Sequence, residues 1–309
     1  MTVVPRVSVG VPVYNGEEYL ETALRALQKQ TLREFEVIIS DNASTDGSRA
    51  IAERFAVEDE RFHVIGSMKN EGIPRNFNAT LESAAAPLFM WNAADDFARP
   101  EHLEACCAVL DAHPEAWIAF SRIDAIDAEG RFLNSRDDEN LDFGGLDASG
   151  RVDLFLRRQV YQVIGFGGVI RTDRLREYGG LPPFYGGDIV LGLGLAIKAP
   201  WIQVPRALYV RRMHEGQFGK SQGGDIATQI RHYDPSIRRE YAFPQWYLNG
   251  RLIAEAAAAT IPLSERLRAV ASVLRRWTIP NWRFLPFDVK RNMIHLFRGQ
   301  YSAAGEGGS

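Results

Sequence analysis

The 309 residues are 46% hydrophobic and 24% charged, and 36 Lys+Arg against 39 Asp+Glu leave a formal charge of −3. That apolar fraction suffices to offset the ordering entropy of a core and excludes a disordered chain. The only cysteines, the adjacent Cys106 and Cys107, exclude a disulfide scaffold and a Cys/His zinc site.

Near-neutral charge argues against nucleic acid as a partner. No charged leader with an apolar core opens the chain, and no run approaches the ~20 apolar residues of a membrane span. A cytoplasmic location is therefore expected. The charge is uneven: residues 235–300 hold eleven Lys/Arg and four Asp/Glu, a net +7, so the remainder is −10.

The first 120 residues alternate strand and helix patterns. Val7–Val13 predicts a strand, the turn Tyr14-Asn15-Gly16 follows, and Leu20, Leu24 and Leu27 mark a helix over 17–30. Strand Phe35–Ser40, helix 48–57, strand Phe62–Ile65, helix Ile73–Ala85, strand Leu88–Trp91, helix 100–112 and strand Trp117–Phe120 continue the series. The alternation predicts an α/β fold with a doubly wound parallel sheet and helices on both faces. Residues 121–185 are less regular. Beyond 235 the pattern is helical, with Leu263, Leu267, Val270, Leu274 and Trp277 on one face.

Open α/β sheets bind ligands beyond the carboxyl ends of their strands. Tyr14-Asn15, Asp41-Asn42 and Asn92–Asp96 all fall at such ends, so a parallel sheet predicts that they converge on one edge. The cleft would carry several carboxylates, suited to a metal ion, sugar hydroxyls or base N–H donors. Neither G-x-G-x-x-G after the first strand nor a P-loop occurs. Asp95-Asp96 admits two readings: a carboxylate metal site for bound phosphates, or an acidic start to the helix after Pro100.

Four motifs in order, Val9-Gly-Val-Pro-Val-Tyr-Asn15, Ser40–Gly47, Asn70-Glu-Gly-Ile-Pro-Arg-Asn76 and Asn92–Asp96, resemble the family 2 glycosyltransferases of GT-A fold. The resemblance covers roughly residues 5–217. It implies an inverting transferase that moves a sugar from a nucleotide-diphosphate sugar, a UDP-sugar foremost, to a carbohydrate or glycoconjugate hydroxyl in polysaccharide or envelope-glycan synthesis. Pro12, Tyr14 and Asn15 would border the base, Glu17 the ribose, and Asp41 would accept a base N–H, while Arg75 would lie beside the nucleotide. Glu17 and Arg75 also fit helix-start or surface charges.

The acidic motif departs from the common D-x-D-D, because Ala93 stands where its first Asp would be. Mn²⁺ or Mg²⁺ would fall to Asp95, with Asp96 second. Tyr185–Leu191 resembles the segment of the catalytic base. Gly187 replaces the usual Glu, Asp188 keeps the base position, and an N-cap role for Asp188 is compatible with it. Tyr209–His214 resembles an Arg-x-His element in which His214 joins the metal and Arg212 faces the diphosphate. Gly216–Gly224 reads either as a loop that orders over the donor or as a linker.

The resulting division is a GT-A domain over 1–230, with nucleotide-sugar binding in 1–120 and the acceptor and catalytic part in 121–230. A helical appendage with a Gly-rich tail occupies 231–309. Its basic, aromatic helices admit peripheral contact with the inner face of a membrane, self-association, or packing on the catalytic domain with solvated arginines. Two rivals stand beside the transferase: a sugar-nucleotide nucleotidyltransferase, and a binding module that has lost turnover.

Overall fold

The apolar run β1 (Val7–Val13) is buried along its whole length, as a central strand covered on both faces must be. In the computed structural model, which describes residues 4–135, 141, 143–158, 167–215, 230, 233, 243–290 and 292–293, this strand centres the sheet. Around it run α1 (Glu17–Gln28), β2 (Phe35–Asp41), α2 (Ser48–Glu58), β3 (Phe62–Gly66), α3 (Ile73–Ser83) and β4 (Leu88–Trp91). β1 pairs in parallel with β2 and β4, and β2 with β3, so this half is the predicted βα repeat. α1 buries Leu20, Ala23, Leu24 and Leu27 at helical spacing. Each leucine contributes about 1.5–3 kcal/mol on burial. At Gly10 a Cβ would come within 2.3 Å of Thr80 Oγ1, so glycine there lets α3 lie directly on β1.

The second half of the sheet is mixed rather than parallel. β5 (Phe97–Ala98), α4 (His102–Ala112), β6 (Ile118–Asp127), β7 (Phe132–Ser135), α5 (Ala148–Arg158), β8 (Val169–Arg171), α6 (Thr172–Tyr178), α7 (Gly187–Lys198) and β9 (Trp201–Met213) follow. The order is β3-β2-β1-β4-β8-β6-β9-β5, with β7 hairpinned on β6. Three-residue β8 is antiparallel to both β4 and β6, whereas β9 is parallel to β6. So short an insertion leaves no periodicity in the sequence, which is why residues 121–185 read as less regular.

Two further helices, α8 (Pro244–Ala258) and α9 (Leu263–Val273), pack onto α7 and α5. Leu248, Leu252, Ala256, Ala269 and Val273 join the same core as the sheet's Phe89, Trp91 and Trp201. The predicted leucine stripe is not what α9 buries. Leu263, Leu267 and Leu274 are exposed, Val270 and Trp277 are partly covered, and Ala269, Ser272 and Val273 make the contact. Small side chains permit close approach to α5. Arg268 pairs with Asp147 and Arg276 with Asp153 at 2.7 and 2.9 Å, which fixes the helix's rotation. The π-turn at Leu274–Thr278 then rotates the following residues out of register. Among the described residues no helix is long and apolar enough to cross a membrane.

Candidate active site

The carboxyl ends of β1, β2 and β4 are adjacent, and the three polar clusters converge there. Pro12 is buried in β1, and Tyr14, at 47% exposure, stands open at its end. Asn15 adopts φ 51°, a left-handed conformation that asparagine tolerates. Its Oδ1 accepts the Thr45 N–H at 2.8 Å and its own N–H donates to Ser44 Oγ at 3.0 Å. The Glu17 carboxylate accepts the Gly47 N–H, and Asp46 Oδ2 accepts the Glu17 N–H at 3.1 Å. These reciprocal bonds lock the β1–α1 turn against the β2–α2 loop.

Asp41 is buried, and its Oδ1 accepts the Ser44 N–H at 3.2 Å. Beside it, Asn42 donates to Asn70 Oδ1 at 3.0 Å and accepts the Glu71 N–H at 2.9 Å, drawing the third motif in. Asn76 Nδ2 donates to Val13 O at 3.2 Å, closing the ring back onto β1. Arg75 instead lies on the exposed side of α3, ion-paired to Glu82 at 2.6 Å.

The acidic motif divides its labour. Asp95, 26% exposed at its side chain, has Oδ2 at 2.9 Å from His214 Nε2, across 119 residues of sequence. Asp96 is fully buried; Oδ1 accepts the Arg212 backbone N–H at 2.8 Å, while Oδ2 has no partner among the described residues. Burial, reinforced by the charge of Asp95, holds the Asp96 carboxyl well above the ordinary carboxylate range. Asp96 therefore fastens β9 to the motif, and Asp95 with His214 forms the accessible pair. A carboxylate oxygen and an imidazole nitrogen are donor types that would suit a divalent cation. No group of three or more His, Cys, Asp or Glu suited to a metal occurs among the described residues.

Arg212 is buried. Its guanidinium donates to Ala128 O at 3.0 Å and stacks 4.6 Å over the Tyr19 ring. Tyr19, whose ring also meets His214 at 4.8 Å, was missed in the sequence because it reads as an ordinary surface position on α1. Behind the motif lies a second unforeseen group. Fully buried His102 donates from Nε2 to Gly167 O at 2.7 Å, its Nδ1 is 3.2 Å from Ser121 Oγ, and Gly167 N–H donates to Trp91 O at 3.2 Å. Burial depresses its imidazole to about 4.

Asp188 occupies the first turn of α7; the cap itself is Gly186, at φ 78°. Burial raises its carboxyl, although the Ile189 N–H and its own N–H partly offset this. At Gly187 a Cβ would lie 2.4 Å from Pro182 O, so this backbone excludes the expected Glu. Tyr233, missed in the sequence, meets Tyr185 edge-on at 6.1 Å, and the Asp188 charge adds to burial in raising its phenol. The Gly216–Gly224 stretch lies outside the described residues.

The model of the family described as "Glycosyl transferase family 2" matches residues 8–176, more than half of the chain. The chain belongs to glycosyl transferase family 2. Asp188, Arg212 and His214 lie beyond the matched stretch. Among relatives, the chain is 38% identical over 100 residues to "Putative glycosyltransferase EpsH" of Bacillus subtilis (strain 168), covering 32% of this chain and 29% of that protein. It is 35% identical over 100 residues to "Putative teichuronic acid biosynthesis glycosyltransferase TuaG" of the same organism, covering 32% and 40%. The chain thus spans well under half of the length of these two relatives. The structure of S. aureus TarS 1-349 in complex with UDP-GlcNAc superposes with TM-score 0.66 at 20% identity, over 88% of this chain and 72% of that one. The likeness gives the fold: a GT-A sheet with a helical C-terminal region.

Proposed function

We propose that this family 2 glycosyltransferase moves a sugar from a UDP-sugar to a hydroxyl of a glycan or glycoconjugate, with inversion and in a single displacement. The observation that carries this reading is the convergence of Asp41, Asp95 and His214 on one sheet edge, where a nucleotide base and a diphosphate can be engaged together. A carboxylate is an acceptor only, so Asp41 suits the N–H of uracil. Asp95 and His214 would hold Mn²⁺ or Mg²⁺, which when bound offsets the charge of the leaving diphosphate.

Asp188 is the base. The acceptor oxygen forms its bond to the anomeric carbon as the bond from that carbon to the diphosphate oxygen breaks, and the hydroxyl proton passes to the Asp188 carboxylate. Its raised basicity favours that acceptance. A cavity of about 560 Å³, with Phe184 in its lining, would suit a carbohydrate acceptor: Tyr178, Phe184 and Tyr247 offer ring faces, and Arg251 and Glu255 offer polar groups. Phe184 is four residues from Asp188, so the two Cα atoms are at most roughly 14 Å apart.

The test is slow hydrolysis of a panel of UDP-, GDP- and dTDP-sugars, with and without Mn²⁺. UDP release from a UDP-sugar is expected. No release from any donor, together with no nucleotide-dependent thermal shift, overturns the proposal.

A further inference from the structure

Apolar surface on this protein concentrates outside the catalytic sheet. Ile279 and Trp282 are each 64% exposed and Phe287 56%, with Trp246 and Met293 close to half. In a soluble helix such residues face the core; here all but Trp246 follow the π-turn at Leu274–Thr278. The segment is nevertheless firmly placed. Asp288 is fully buried, and its Oδ2 accepts the Gln245 N–H at 2.9 Å at the start of α8. Trp246 Nε1 donates to Leu285 O at 3.0 Å. Between these ties opens a groove of about 670 Å³ walled by Trp246, Trp282, Leu285, Val289 and Met293, with Lys290 as the charged residue among its lining.

The charge pattern identifies the occupant. Residues 266–293 contain seven Lys/Arg and one acid, Asp288, which is buried. Arg268, Arg275 and Arg276 are bound to Asp147 and Asp153, whereas Arg283 and Lys290, beside the exposed aromatics, make no ion pair among the described residues. Arg283 lies 5.4 Å over the Phe284 ring. A second copy docked symmetrically would set basic groups against basic groups, because the face presents no acid to answer them. A bilayer with anionic headgroups supplies both needs: apolar depth for Trp282 and Phe287, and negative charge for Arg283 and Lys290. Tryptophan is suited to that boundary, since one end of its ring is apolar and the other polar.

We propose that the face formed by Trp246, residues 279–290 and Met293 docks the protein on an anionic phospholipid surface, the groove receiving an acyl chain. The helices lie on the membrane and do not span it. This reading is independent of donor and acceptor.

The test is flotation of the full chain with vesicles of phosphatidylcholine alone and of phosphatidylcholine mixed with phosphatidylglycerol. Binding is expected to the mixed vesicles, to weaken with salt, and to shift tryptophan emission to the blue. Arg283→Gln with Lys290→Gln should lower partitioning roughly 25-fold, from about fivefold per basic residue. Trp282→Ser with Phe287→Ser, both on the surface, should abolish binding with the circular dichroism spectrum unchanged. No binding to mixed vesicles overturns the proposal, as does undiminished binding of the Trp282/Phe287 variant. Dimerisation abolished by the same variant in the absence of lipid would assign the face to a second copy and also overturn it.

Discussion

Acidification tests the buried imidazole of His102, which ties α4 to the segment behind the acidic motif. Burial depresses it from 6.5 in the open chain to about 4 in the fold. Between those values the unfolded chain binds a proton that the folded protein refuses, so stability is lost as the pH falls through this window. A difference of about 2.5 units corresponds to about 3 kcal/mol in the limit. At about pH 4.5 the linkage relation gives roughly 2.4 kcal/mol less stability than at pH 7. Carboxylates titrate in the same range, so the measurement is a difference. Urea unfolding is followed across the window for the wild type and for His102→Gln, which keeps a donor for Gly167 O and cannot be charged. The variant should be less stable at neutral pH, and the gap should close by roughly 2 kcal/mol on acidification. Parallel curves for the two proteins would refute the buried neutral imidazole.

Three further outcomes follow from the site. Because burial raises the Asp188 carboxyl, the proposed base is protonated at a higher pH than an ordinary aspartate. Transfer rates should therefore fall on acidification above the usual carboxylate range, and Asp188→Asn should bind nucleotide while losing transfer by at least about 10²-fold; loss of nucleotide binding instead would assign it another role. Asp95→Asn and His214→Gln should each lose Mn²⁺ binding in an electron paramagnetic resonance titration. Asp96→Asn should retain it, since Asp96 is fully buried with its Oδ1 on the Arg212 N–H, and equal loss in all three would place Asp96 on the metal. Gly187→Ala puts a Cβ against Pro182 O and should cost about 1–3 kcal/mol in urea unfolding while lowering the transfer rate; an unchanged protein would show that the turn before α7 yields freely.

The β1–β4 half of this fold was legible because its information is local: apolar strands, helical spacing and turn residues recur every 20 to 30 positions. Adjacency of parallel strands then placed Tyr14, Asp41 and Asp95 on one edge without any coordinates. The β8 insertion and the hairpin at β7 were not legible, because a three-residue strand carries no period. The helix pattern at 263–277 misled for a related reason. Periodicity identifies an apolar face but not its partner, and ion pairs from Arg268 and Arg276 chose the small-residue face instead.

Local chemistry thus determined the family and the strand-end clusters, and it offered Asp188 as a candidate base. The family resemblance only ranked Asp95 ahead of Asp96; tertiary structure supplied the physical difference between these two adjacent carboxylates of the same chemistry. One lies open beside His214 and the other is buried beneath the Arg212 backbone, because β9 returns from more than a hundred residues away to cover only the second. Burial and partners decide what a carboxylate does, and both are properties of the packed chain.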